Sequence, residues 1–231
     1  SLYTTFQLQK NFVDGILKGL YLNGSYSFGQ SRGVTDGTSS VATSAWKYRA
    51  ALDGNAEEVG YTAGSFDGRL LLSASYTANW SKYAATSFGL IYQRYRPFRY
   101  SYCYNGDANG DSQFSNDLMY IPANFDEVKD HLLPGDFDSQ EDAWKAMNAF
   151  IEQDPYLSKH RGEYAERNGA VAPFANQLDL SVSHDIKIYQ KNGRSHTLRF
   201  SFNIANFLNL LNRNWGVVQT TVLGNQQYQF L

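Results

Sequence analysis

The stretch that most constrains the fold spans residues 177–204. Leu178, Leu180, Val182, Ile186 and Ile188 share one parity, while Gln177, Asp179, Ser181, Ser183, Asp185 and Lys187 share the other. Beyond Asn192-Gly193 the pattern resumes, with Leu198, Phe200, Phe202 and Ile204 on one side and Arg199, Ser201 and Asn203 on the other. Successive side chains of a strand point to opposite faces, so this reads as a hairpin with one apolar and one polar face. The Asn-Gly pair supplies the tight turn. A soluble sandwich would bury the apolar face and wet the polar one. A membrane barrel would turn the apolar face to lipid and the polar face to the lumen. Alternation alone does not choose between them.

The same alternation recurs along the chain and predicts an all-β fold. Strands are expected near 2–10, 20–30, 70–80, 86–104, 177–189 and 196–209. The fourth is read as continuing past Pro97 through Phe98, Tyr100, Tyr102 and Tyr104. Long irregular stretches lie near 31–68, 105–173 and 211–226. One helix is expected over residues 139–153, capped by Ser139 with Asp142 and stopped by Asp154-Pro155. Short and long connections therefore alternate. Short turns at one rim and long extracellular loops at the other are the pattern of an outer-membrane barrel. The readable strands approach the roughly 9–11 residues that cross a bilayer at a tilt. Trp80 and the tyrosines gather towards strand ends, as an interfacial girdle would. Loops this long and this regularly alternating are unusual in a sandwich, which favours the barrel.

Composition narrows the functions. The net charge of −2 predicts no nucleic-acid partner. Charged residues make up only 18%, whereas there are 17 tyrosines, a balance that suits membrane barrels or carbohydrate-binding β proteins. No apolar run approaches the roughly 18 residues of a membrane helix, which leaves a barrel open. The single cysteine, Cys103, has no partner for an internal disulfide and reads as a semi-buried strand residue. Strand-like sequence at both ends suggests an internal or C-terminal piece of a longer protein.

Specific residues then point to a family. Tyr104-Asn105-Gly106-Asp107-Ala108-Asn109-Gly110-Asp111, followed by Ser115-Asn116-Asp117-Leu118-Met119-Tyr120-Ile121-Pro122, resembles a loop of TonB-dependent outer-membrane receptors of the Oar-like and SusC-like kind. Arg161-Gly162-Glu163-Tyr164-Ala165-Glu166-Arg167-Asn168-Gly169-Ala170, leading into the strand at Leu178, does so too. The Asn-Phe-Leu-Asn-Leu-Leu-Asn core of residues 203–215 is similar to their penultimate-strand region. The resemblance covers most of the chain, best over residues 88–215. It implies a 22-stranded transmembrane barrel with an N-terminal plug, of which this chain would be the C-terminal portion. It further implies uptake of a bulky ligand (peptide, glycan or metal chelate) across the outer membrane of a Gram-negative bacterium. The implied partners are the plug and remaining strands of the same receptor, outer-membrane lipid and lipopolysaccharide, and TonB through the missing N-terminal part. A surface lipoprotein over the mouth is compatible with this family. The rival readings are a passive porin or adhesin barrel and a soluble carbohydrate-binding sandwich.

Three sets of residues could carry function. Asn79, Gln93, Asp179, Ser181, Asp185, Arg199 and Asn203 would line the lumen and meet plug or ligand. Arg94, Arg96 and Arg99 cluster at the long-loop end of the fourth strand, where they would meet lipid head groups or form ion pairs between loops. Asp107, Asn109 and Asp111 have the oxygen spacing of a calcium loop, although Ser112 stands where the turn glycine belongs. The alternative there is an Asx-rich turn. The four histidines lack metal-ligand spacing, and His184 is expected near an interface. The carboxylate pairs Glu163 with Glu166, and Asp126 with Glu127, lack a nucleophile elbow or a phosphate loop beside them, so no enzymatic role is read.

Overall fold

The structure is a computed structural model that describes residues 1–37, 39–189, 195–220 and 227–230. In chain order its strands of four residues or more are β1 (Leu2–Asn11), β2 (Leu20–Gln30), β3 (Phe66–Asn79), β4 (Ala84–Tyr95), β5 (Arg99–Tyr104), β6 (Ala175–Tyr189), β7 (Ser195–Ile204) and β8 (Gln227–Phe230). The α-helices are α1 (Ala42–Lys47), α2 (Gln140–Gln153) and α3 (Phe207–Leu211). The fold is mostly β. Among the described residues no helix is long and apolar enough to cross a membrane, which says nothing of strands. The expected turn at Asn192-Gly193 lies outside the described residues.

The chain forms two compact units. The first, residues 1–29, 66–97 and 173–219, is a six-stranded antiparallel sheet in the order β1-β2-β3-β4-β6-β7. Register aligns the apolar positions across strands. One row runs Leu22, Ala74, Leu90, Leu180, Ile204, and the next runs Leu20, Tyr76, Phe88, Val182, Phe202. A slip of one residue would scatter these rows between the faces, so the pattern fixes the pairing. On the other face Gly89 lies opposite Ser181, and a side chain there would collide with the serine hydroxyl.

This sheet has no core of its own. Among the described residues only Ala175 of this unit is a buried hydrophobic. Leu72, Phe88, Phe200 and Phe202 are 41%, 45%, 58% and 65% exposed. Burying such a side chain is worth about 2 kcal/mol, so a face of this width would gain much by being covered.

The second unit, residues 30–65, 98–172 and 220–231, holds the hydrophobic core. Tyr102, Met119, Ile121, Ile151, Leu157, Ala165 and Ala170 are buried together, with Tyr100, Tyr104, Met147, Phe150 and Tyr156 packed against them. The strand β5 pairs antiparallel with residues 170–171 and parallel with β8. Ser101, Tyr102 and Cys103 are all buried in succession, so β5 is covered on both faces. This corrects the expected single strand over 86–104. Pro97 supplies no N–H to a ladder, and the chain beyond it joins another sheet. Similarly, the expected strand over 196–209 ends at Ile204, because Asn206 adopts a left-handed conformation with φ of 53° before α3.

The helix α2 forms where its cap and spacing predict. The Ser139 side chain accepts from the Asp142 N–H, and Ala143, Met147, Phe150 and Ile151 lie on one face towards the core. Asp154 then ends it. Its carboxylate accepts from the N–H groups of Tyr156 and Leu157 and from the Tyr102 hydroxyl at 2.6 Å. Arg49 and Arg167 both donate to the Val34 carbonyl, tying distant segments of the unit together.

Candidate functional site

The polar face of the sheet carries a hydrogen-bonded ladder. Arg69 Nη2 donates to Gln93 Oε1 at 2.9 Å, and Gln93 Nε2 donates to Gln177 Oε1 at 2.9 Å. Gln177 Nε2 donates to both carboxylate oxygens of Asp179, at 3.0 and 3.1 Å. Asp179 Oδ1 also accepts the Asn206 N–H at 2.7 Å. Further along, Arg199 grips Asp185 through two bonds of 2.6 and 2.7 Å, the bidentate geometry of a charge-assisted pair. Ser181 stands opposite Asn203, and Asn79 lies opposite Ala85 at the short-turn end. All seven residues expected to share a face do share one. The structure links Gln93 with Asp179 and joins Asp185 to Arg199. Sequence reasoning missed Arg69 and Asn206 as members of the ladder, although Arg69 has the matching parity.

A groove of about 460 Å³ lies at the long-loop end of the same unit. Tyr92 and Asn176, of apolar-face parity, form its floor with Phe174, and Leu208, Trp215 and Val217 line it further. The Tyr92 hydroxyl donates to Asn176 Oδ1 at 2.8 Å. The wall at residues 212–219 is built by the asparagines of the sequence motif. Asn206 Nδ2 donates to the Gly216 carbonyl at 2.9 Å, and Asn209 Nδ2 donates to the carbonyls of Arg213 and Trp215 at 3.0 and 3.1 Å. Gly216 has φ of 66° and lies so close to the Asn206 amide that a side chain would not fit.

Two of the three expected arginines meet over Phe174, one of the residues lining this groove. The guanidinium groups of Arg94 and Arg96 each lie 4.3 Å from the centroid of the Phe174 ring. Arg96 also lies 3.8 Å from Asp67. Arg99 belongs elsewhere, and its expected head-group role is corrected. It is 6% exposed in the second unit, 4.1 Å from the Tyr61 centroid, and donates to the Asn168 carbonyl at 3.1 Å. A guanidinium buried in its own unit is not available to a lipid surface.

At the opposite end, Trp80 Nε1 donates to Thr86 Oγ1 at 2.7 Å. The same hydroxyl lies 2.9 Å from His184 Nδ1, so the three side chains form one hydrogen-bonded chain.

The loop of Asp107, Asn109 and Asp111 has the geometry of the Asx-turn alternative. Asp107 Oδ1 accepts from the N–H groups of Gly110 and Asp111, and its Oδ2 from that of Ser112. Asn109 Oδ1 accepts from Asp111 N–H, and Asp111 Oδ1 from Gln113 N–H. Among the described residues no three His, Cys, Asp or Glu side chains are grouped to hold a metal.

Comparison with protein-family models, with curated proteins and with solved structures found no match.

Proposed function

We propose that this chain is a C-terminal section of the wall of a TonB-dependent outer-membrane transporter, with its apolar face in lipid and its polar face on the lumen. The observation that carries the reading is a single-layer antiparallel meander whose apolar face is exposed across all six strands and backed by a polar face. From Leu70 to Ala78 the apolar positions of β3, at ~3.4 Å a residue and a ~40° tilt, span ~21 Å, near the ~25 Å band of outer-membrane barrels. Aromatic residues flank it, with Trp80 and Tyr83 at the short-turn end and Tyr92, Phe174 and Trp215 at the other. The connections from β2 to β3 and from β4 to β6 leave at the long-loop end, which is read as extracellular. The resemblance of residues 104–122 and 161–180 to importing receptors supplies the transport reading. A barrel of that family must be plugged or it leaks, so release of a bulky ligand needs energy from the inner membrane. The full-length receptor is expected to support growth on its ligand only when TonB is present. Undiminished uptake in cells lacking every TonB would make it a passive channel.

A further inference from the structure

We infer that a cavity of about 330 Å³ within the second unit binds a primary ammonium group on a short carbon chain, with Asp117 as its counter-ion between Tyr104 and Tyr164. Asp117 lines that cavity yet is only 3% exposed. Its Oδ2 accepts the N–H groups of Ala108 and Asn109, at 2.6 and 3.3 Å. Its Oδ1 is buried and has no hydrogen-bond partner among the described residues. No Lys, Arg or His lines the cavity. A carboxylate taken out of water with one oxygen unengaged is stabilised by a cation that donates to it. The surrounding segments add to the same field. Residues 51–58 hold Asp53, Glu57 and Glu58, residues 104–122 hold Asp107, Asp111 and Asp117, and neither stretch has a basic residue. The two aromatic rings of the cavity favour a cation further, and both are held in place. The Tyr104 hydroxyl accepts the Tyr120 N–H at 3.3 Å, and Tyr164 packs edge-on against Tyr120 with centroids 5.1 Å apart. The kind of cation follows from the acceptors left over. A guanidinium fork needs two carboxylate oxygens, and Oδ2 is already engaged. A quaternary ammonium has no N–H to offer Oδ1. A primary ammonium gives one N–H to Oδ1 while its stem lies along Leu52 and Leu118, which also line the cavity.

The test uses the full-length protein in neutral detergent, with n-butylammonium as the probe and ligand-observed NMR titration at neutral pH as the readout. Wild type is expected to bind it about tenfold more tightly than n-butanol, its neutral counterpart, the effect of one charge-assisted hydrogen bond. Asp117→Asn is expected to lose that preference, and Tyr164→Leu to weaken binding about threefold, the effect of one exposed ring. Asp126→Asn, the same loss of charge at an exposed position outside the cavity, is expected to leave the preference intact. Equal binding of amine and alcohol by wild type overturns the inference without any variant, and so does tighter binding of n-butylguanidinium or tetramethylammonium. An equal loss in Asp126→Asn and Asp117→Asn also overturns it, because the amine would then be following the general field of the unit. A free amine and a lysine side chain present the same group. Competition by Nα-acetyl-lysine N-methylamide supports the site as one for a lysine of a peptide, and butylammonium binding without that competition supports it as one for a free amine. The site and the transport reading fail separately: uptake without TonB removes the transporter, whereas loss of amine discrimination removes only this site.

Discussion

Val182 and Ser183 are neighbours in sequence with opposite surroundings. Val182 lies between Phe88 and Phe202, and Ser183 between Ser87 and Ser201. An arginine on the lipid face near the midplane costs ~2–4 kcal/mol, whereas one in the lumen is solvated. Val182→Arg is therefore expected to impair assembly far more than Ser183→Arg in a heat-modifiability assay, and equal tolerance would refute the assigned faces. Asp107 has a different role, accepting three backbone N–H groups. Asp107→Ala should speed hydrogen exchange at Gly110, Asp111 and Ser112 to the same degree with or without calcium, and wild-type protection that rises on adding calcium would favour the metal reading. Cys103 is fully buried, and burial pushes its thiol up to about 12. An acid whose folded pKa is raised loses stability as pH climbs, here from the ordinary thiol value of ~8.5 towards the folded one. Unfolding should become easier across that window, and Cys103→Ala should flatten the slope in denaturant titrations.

At the scale of elements, the period-2 strands and the capped helix were legible because local sequence alone determines them. The Ser139 cap is a case where sequence and structure agree bond for bond. Ser139→Ala is expected to cost ~1 kcal/mol of α2 stability, measured by hydrogen exchange within the helix. The break at Pro97 was visible but outweighed by the alternation of Tyr100, Tyr102 and Tyr104, which continues through it. What ruled against a continuous strand was burial on both sides of β5, a property that no local period announces. The core of the second unit was hidden for the same reason. Tyr102, Met119, Ile121 and Leu157 come from separate segments and share no repeat. The groove wall was half legible: the asparagine-rich motif stood out, but its donors reach carbonyls several residues ahead, a pairing that a left-handed turn at Asn206 sets up.

For the whole molecule, the exposed apolar face is what the proposed membrane setting would cover. The protein is expected to stay with membranes after carbonate washing and to need detergent for extraction, and purification in plain buffer would favour the sandwich. The sheet lists its strands in chain order, with long excursions at one end only. The β2–β3 register holds from Leu20 to Tyr26 however much chain intervenes. Lengthening such an excursion is cheap, because each doubling adds only ~0.6 kcal/mol of closure entropy. Mutation can therefore diversify that end in length and content while the sheet keeps its alternation, so what the loops display can change without rebuilding the scaffold that carries them.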